Sequence, residues 1–142
     1  MRDEHLVICS PTVFELITDG AAVVPVKVDL VYDTRDPFAV QASFRTGTGG
    51  VVDWVFARDL LHEGLTAAVG AGDVRVRPTT TDPNRVRLEL SSPSGHAVFT
   101  TSAHALDDFL DQTYEAVPAD AGYPWGDFDV ALSDLLNDPA CD

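Results

Sequence analysis

The segment from Ser91 to Gly95, with the sequence SSPSG, comes nearest to a catalytic nucleophile in this chain. The nucleophile elbow of serine hydrolases has a glycine two residues before and two residues after the serine, and this segment lacks that pattern. Its proline and glycine instead predict a hairpin turn. Clustered histidines could supply a base or a zinc site, but the chain has them scattered at His5, His62, His96 and His104. We therefore expect surface or hydrogen-bonded histidines.

Carboxylates and glycines also occur in groups that could bind ions. Three aspartates lie between residues 107 and 111, and Asp127 and Asp129 open a predicted helix, but neither group has the loop glycine and terminal glutamate of a calcium site. The segment Gly47–Gly50 lacks the lysine and the helix that follow a phosphate-binding loop, so we predict a hairpin turn there. We expect no catalytic, cofactor-binding or metal-binding residues, and we expect that the chain is not an enzyme.

Arginines alternate with apolar residues in two neighbouring predicted strands. In the first strand Val74 and Val76 face one way and the arginines face the other, and residues 85–90 repeat this alternation. If the strands pair through the turn at residues 82–84, four of the nine basic side chains crowd one sheet face, where opposed like charges are destabilising. The candidate partner-binding residues, which we call the arginine face, are Arg75, Arg77, Arg85 and Arg87.

Three arrangements would relieve the repulsion within the arginine face. The side chains can be solvated, with Glu89 and Asp73 as local counter-ions. They can pair with an acidic part of the same chain or of another subunit, such as the acidic C-terminal helices. An external protein can also supply the acids. The sequence leaves all three arrangements open.

The charge balance bounds the class of partner. The 142 residues carry 23 acids and 9 Lys and Arg, a net charge of −14, and every Lys and Arg lies at or before Arg87. From Leu88 to Asp142 there are acids and no base, so this half repels phosphate backbones and anionic lipid. The length suits one domain, and no apolar run approaches the ~20 residues that cross a bilayer. We expect a cytoplasmic protein and no direct membrane insertion.

Local patterns predict the order of the secondary structure. Alternation predicts a strand at Val24–Asp33 with one buried face, and Ser102 is a candidate N-cap for a later helix. The predicted strands lie within 6–18 and at 24–33, 40–45, 51–56, 73–78, 84–92 and 96–102, and the helices at 57–64, 103–117 and 127–137. Because strands and helices do not alternate, we expect an α+β fold with an antiparallel sheet of about seven strands, a short helix after strand 4 and two C-terminal helices.

Two groups of apolar residues need packing partners. Trp54 and Phe56 share a strand face with Val52, which favours core packing over an exposed aromatic anchor. Gly64 is expected to end the short helix. The last predicted helix has an apolar stripe formed by Phe128, Leu132, Leu135 and Leu136.

Several motifs resemble the SsgA-like proteins, which are small cell-division and sporulation regulators of mycelial, spore-forming bacteria. The matching segments are DPFAV at residues 36–40, WVFARDLLHEG at 54–64, GDVRVRP at 72–78 and LSSPSGHA at 90–97. They cover the chain from about Val23 to Leu110, and WVFARDLL is the most specific piece. The first twenty residues and those after Thr113 match less clearly, so the subfamily stays open, with an SsgB-like member as the first expectation.

The resemblance implies one SsgA-like domain over residues 1–142, a fold similar to the whirly-type single-stranded nucleic-acid-binding proteins, and a homotrimer. It implies a non-enzymatic, sporulation-specific regulator, located at the division septum, that helps position or recruit the division protein FtsZ. FtsZ and SsgA-like paralogues are the implied partners. The alternative is a single-stranded nucleic-acid-binding protein of whirly-like fold, for which only the arginine face is eligible. The acidic charge disfavours this alternative, so no nucleic acid is expected.

Overall fold

The computed structural model describes residues 6–119 except 19, 21, 48 and 71. Within them the chain forms seven strands and two helices in the predicted order. These elements are β1 Val7–Ile17, β2 Val23–Asp33, β3 Ala39–Arg45, β4 Val51–Ala57, α1 Arg58–Glu63, β5 Val74–Pro78, β6 Arg85–Ser92, β7 Gly95–Ser102 and α2 Ala103–Ala116. The helix predicted at 127–137 lies outside the described residues. No helix among the described residues is long and apolar enough to span a membrane.

The strands form one antiparallel sheet in the order β4-β3-β2-β1-β7-β6-β5. β1 pairs with β2 along its whole length, from Val7 opposite Asp33 to Ile17 opposite Val23. It pairs with β7 only at Glu15 and Leu16. The sheet therefore consists of two meanders, β1–β4 and β5–β7, which are joined near the C-terminal end of β1.

One face of the sheet, which we call the inner face, carries the core. α2 lies on this face and buries Leu106, Phe109 and Leu110 against the strands. Its first turn is capped by Ser102, whose hydroxyl accepts a hydrogen bond of 3.1 Å from the backbone N–H of Ala105, as predicted. Three aromatic rings from both meanders meet at centroid distances of 5.0–6.1 Å, and these belong to Phe14, Phe44 and Phe99.

β2 departs from the prediction of a single buried face. Both of its faces are buried from Val28 to Asp33. On the outer face Asp29 forms an ion pair with Arg45, with 2.6 Å between nitrogen and oxygen, and Asp33 forms one of 3.2 Å with Arg35. β2 lies inside the sheet, and long arginine side chains cover its aspartates. The alternation of apolar and polar residues therefore predicted more exposure for the outer face of β2 than the structure shows.

Gly64 ends α1, but not in the left-handed conformation expected of a terminal glycine. Its φ is −66°, which any residue can adopt. A Cβ atom at this position would fall 2.2 Å from Cγ1 of Val76. The glycine is therefore required because α1 packs closely against β5.

Candidate partner-binding surfaces

The predicted pairing of β5 and β6 is present, and it brings the arginine face together. Val76, Val86 and Leu88 are buried on the inner face, so the alternating arginines lie on the outer face. Arg77 stands directly opposite Arg87, and Arg75 stands opposite Glu89. The register thus contains the like-charge pair that the sequence predicted.

Two of the four arginines have acidic partners. Arg87 Nε donates to Glu89 Oε2 at 2.9 Å, and Arg85 pairs with Glu15 of β1 and donates to Thr100 Oγ1 at 3.1 Å. The hydrogen bond from Arg87 lowers the pKa of Glu89 below its usual value, against an opposing effect of burial, and the nearby positive charges lower it further. Glu15, which lies 70 residues from Arg85, was missed because sequence patterns report only local neighbours.

The other expected counter-ions do not reach the arginine face. Asp73 forms no ion pair with an arginine in the described part of the chain. α2 packs on the inner face, so its acids cannot cover the outer face of the same chain. Arg75 is exposed and Arg77 half-buried, and among the described residues neither forms an ion pair or a side-chain hydrogen bond. These two cations at the edge strand are therefore not neutralised by an ion pair within the described part of the chain.

A second surface is an apolar hollow of about 680 Å³ on the inner face, at the end of the sheet where β2, β4 and β7 begin. Val24 and Val52 in it are 44% and 47% exposed. Its apolar lining is contributed by Leu16, Val24, Val26, Phe44, Val52, Trp54, Leu90, Ala97 and Phe99. Sequence patterns missed it because they identify an apolar face but not how far a helix covers that face.

The residues of β4 that were predicted to lie in the core differ in how far they are buried. Phe56 is 2% exposed and belongs to the core, and Trp54 is partly buried and stacks on it at 6.4 Å between ring centroids. Val52 was predicted to share their core environment, and that prediction is wrong because the strand runs past the end of the covered region. Trp54 therefore packs on the core and also forms part of the wall of the hollow.

Arg58, which the sequence reasoning did not single out, is the buried centre of the WVFARDLL motif. It is 3% exposed, and its Nη1 donates to Tyr32 Oη at 3.0 Å and to the carbonyls of Thr113 and Val117 at 3.0 and 2.8 Å. The guanidinium lies 4.0 Å from the ring centroid of Tyr114. A cation at the carbonyl end of α2 is favourable because the helix dipole is negative there. Arg58 thus ties α1, β2 and the end of α2 together.

Tyr114 completes this cluster by donating a hydrogen bond of 2.7 Å to Asp59 Oδ1. Burial is the main cause that raises the pKa of Tyr114 well above its usual value, and the hydrogen bond to Asp59 adds to it. The phenol therefore stays neutral and acts as a hydrogen-bond donor.

Two segments considered for catalysis or phosphate binding lie in turns between paired strands. The serine-rich segment forms the turn between β6 and β7, where Ser92 pairs with Gly95. β3 and β4 pair as a hairpin, in which the backbone N–H of Thr46 donates to the carbonyl of Gly50. Both hairpin predictions are confirmed. Within residues 6–119, apart from the undescribed positions, no group of three or more His, Cys, Asp and Glu side chains could hold a metal ion.

Residues 26–122 match the family model described as "Streptomyces sporulation and cell division protein, SsgA". The chain belongs to the SsgA family. It is 54% identical over 136 residues to the sporulation-specific cell division protein SsgB of Saccharopolyspora erythraea, with 96% of each chain covered. It is 45% identical over 122 residues to SsgB of Streptomyces coelicolor, covering 85% of this chain and 89% of that one. It is therefore an SsgB-like member of the family.

Two solved SsgA-family structures have the same seven-stranded antiparallel architecture. The SsgA-like sporulation-specific cell division protein of Thermobifida fusca superposes with a TM-score of 0.78 at 35% identity, covering 96% of this chain and 99% of that chain. A structure from a study of SsgB mutations and longitudinal cell division in Streptomyces coelicolor superposes with a TM-score of 0.77 at 42% identity. The match covers 84% of this chain and 93% of that chain. The relatives are cell-division proteins by name and carry no enzyme name.

Proposed function

We propose that this SsgA-family chain is a non-enzymatic, cytoplasmic binding protein that helps to position or recruit FtsZ at sporulation septa. Its membership of a family of sporulation and cell-division proteins supports a role at the septum. The arginine face supports a role in binding, because the pairing of β5 with β6 gathers positive charges on one surface. The observation that carries the proposal is the unpaired state of Arg75 and Arg77 among the described residues.

Arginine at this position favours an acidic protein segment as the ligand. The planar guanidinium binds a carboxylate through two parallel hydrogen bonds, which a lysine cannot do. The repulsion between Arg77 and Arg87 across the strands falls when a carboxylate comes between them. We assign partner binding to Arg75 and Arg77 directly, while Arg85 and Arg87 are held in place by Glu15 and Glu89.

The proposal also includes a homotrimer of single-domain chains, residues 1–142, with a whirly-like arrangement and with SsgA-like paralogues as further partners. The family resemblance supports the trimer, and exposed valines on the outer face, including Val13, Val51 and Val55, offer apolar surface for subunit contacts. Sedimentation equilibrium at micromolar concentration should give about three times the chain mass of 15.3 kDa. A single-chain mass would refute the trimer and leave the arginine-face assignment intact.

Co-sedimentation with polymerised FtsZ tests the binding role. The wild type should pellet with the polymer, and Arg75→Glu should weaken this strongly. Lys27→Glu is the matched control, because it makes the same charge change at an exposed position on β2. Equal binding by both variants would contradict a specific role for the arginine face.

The single-stranded nucleic-acid alternative predicts a different outcome from the same variants. Few basic groups and a net charge of −14 should leave affinity for labelled single-stranded DNA negligible at about 0.15 M salt. Tight binding by the wild type that Arg75→Glu abolishes would replace the FtsZ proposal with the nucleic-acid function.

A further inference from the structure

The two edge strands of the sheet, β4 and β5, differ in how far they are closed to pairing with another strand. On β5, Val76 faces away from β6 and exchanges backbone hydrogen bonds of 2.8 and 3.0 Å with Val69. Pro78, which also faces away from β6, has no N–H to donate. A covered residue and a proline both hinder the pairing of a further strand, so the free edge of β5 is largely closed within the chain.

Hydrogen bonds at the two ends of the β3–β4 hairpin fix which backbone groups of β4 face away from the sheet. At one end the N–H of Thr46 donates to the carbonyl of Gly50, and at the other the N–H of Arg58 donates to the carbonyl of Phe38. Between these ends the pairing is continuous, and bonded pairs of an antiparallel ladder alternate with non-bonded pairs. The even-numbered residues of β4 therefore bond to β3, whereas the odd-numbered residues direct their N–H and C=O groups outward.

The free edge of β4 is open to pairing. The outward backbone groups that precede α1 belong to Val51, Asp53 and Val55, and within the described part of the chain no strand or loop forms a hydrogen bond with them. Val51 and Val55 are 54% and 56% exposed. An exposed edge strand with unpaired backbone groups and β-branched side chains is a template to which an extended segment can add.

The outer side chains of β4 define what an added strand should carry. Val51 and Val55 are apolar, and Asp53 lies exposed between them. Asp53 forms no ion pair among the described residues, and Arg45 on the neighbouring strand is held by Asp29. Directly opposed residues of paired strands have their side chains on the same face, where opposite charges attract. The added strand should therefore place apolar residues against the two valines and Lys or Arg against Asp53.

The inner side chains of β4 add an apolar requirement. Val52, which is 47% exposed, and Trp54 form the wall of the apolar hollow at this edge of the sheet. Residues of an added strand that lie opposite Val52 and Trp54 point to the same inner face, beside the hollow. Apolar side chains at these positions would cover the exposed part of Val52.

From these observations we propose that β4 binds an extended segment of a partner protein as an added antiparallel strand. The segment is apolar except for a Lys or Arg opposite Asp53, and the net charge of −14 favours such a cationic ligand. A second copy of β4 fits less well, because the register that pairs the three outward residues of both copies sets the two Asp53 carboxylates opposite each other. The site is independent of the proposed FtsZ contact, since the arginine face lies on β5 and β6 at the other end of the strand order.

Binding of a designed peptide to the full chain tests the strand addition. The probe is a fluorescein-labelled peptide in which valine, lysine and valine alternate with leucines, and its anisotropy should rise on titration with the protein. The matched control carries N-methyl groups on the two valines and the lysine, so it keeps every side chain but loses the N–H groups that face β4. It should bind roughly tenfold more weakly or worse. No binding of the probe, or equal binding of the two peptides, would overturn the proposal.

A charge exchange tests the role of Asp53. Asp53→Lys should bind the lysine peptide roughly tenfold more weakly than the wild type does, and it should prefer a peptide with glutamate in place of the lysine. Asp111→Lys makes the same charge change at an exposed position on α2, and it should keep the preference of the wild type for lysine. Equal effects of the two variants on both peptides would show that net charge, and not the position on β4, selects the ligand, which would contradict the assignment.

Sedimentation equilibrium with saturating peptide distinguishes a partner segment from a second copy of this chain. The complex should contain as many protein chains as the free protein does. A fall in the number of chains on addition of the peptide would mean that a second copy occupies the edge of β4, and the proposal would then be wrong.

Discussion

Among single residues, the arginines of this chain lie in two different environments. Arg58 is buried and makes three hydrogen bonds from Nη1, two of them to carbonyls at the end of α2. Arg75 and Arg77 lie on an edge strand without an ion pair among the described residues. Both environments hold the same side chain, so composition alone could not distinguish the buried arginine from the two at the edge. The position after an apolar strand and before a helix is the signal that could have identified Arg58.

Arg58→Ala should lower the free energy of unfolding by roughly 2–4 kcal/mol, because it leaves buried acceptors unpaired and removes the packing against Tyr114. Urea unfolding measures this loss. The control Arg75→Ala, at an exposed position, should change stability by no more than about 0.5 kcal/mol. Equal unfolding midpoints for Arg58→Ala and the wild type would contradict the structural role.

Glu89 should make a pH-dependent contribution to stability. Its folded-state pKa is lowered, chiefly by the hydrogen bond from Arg87, so its stabilisation is present above the ordinary value of 4.5 and is lost as the pH falls through the folded-state pKa. Glu89→Gln should therefore be less stable than the wild type at pH 7, by a small amount because the group is near solvent. The difference should shrink between about pH 5 and pH 3.

Urea midpoints at pH 7 and pH 3 for the two proteins measure this effect. Glu63→Gln removes the same charge from an exposed position on α1, away from the arginines, and serves as the control. A difference between Glu89→Gln and the wild type that stays constant across this range would show that the ion pair with Arg87 does not contribute.

At the scale of elements, local patterns predicted the strands, α1 and α2 because turn residues and alternation act over a few neighbours. Ser102 was predicted as the N-cap of α2 and acts as one. The position of β1 between β2 and β7 could not be predicted, since it depends on only two residue pairs between distant segments. The burial of both faces of β2 and the close packing of Gly64 on Val76 also depend on neighbours distant in sequence.

Ser102→Ala should lower the free energy of unfolding by about 1 kcal/mol, because the N–H of Ala105 loses its acceptor. Ser102→Asp keeps an acceptor at the same position and should retain most of the stability. Thermal or urea unfolding of both variants checks this expectation. Equal destabilisation by alanine and aspartate would indicate that packing of the serine, and not the cap, is responsible.

At the scale of the whole molecule, the two faces of the sheet present different charges. The arginine face is on the outer face, whereas α2, with its aspartates and Glu115, lies over the inner face. The net charge of −14 obscures this separation, which only the pairing of β5 with β6 makes visible. The sequence identified the four arginines, but it could not show which of them are neutralised within the chain.

If this SsgB-like chain acts at sporulation septa through the arginine face, its position in the cell must depend on Arg75. Fluorescent fusions of the wild type, Arg75→Glu and Lys27→Glu, imaged together with FtsZ in sporulating hyphae, measure this dependence. We expect a ladder of bands at future septa for the wild type and Lys27→Glu, and a diffuse signal for Arg75→Glu at equal protein levels. Diffuse wild-type signal, or an unchanged ladder for Arg75→Glu, would contradict the account.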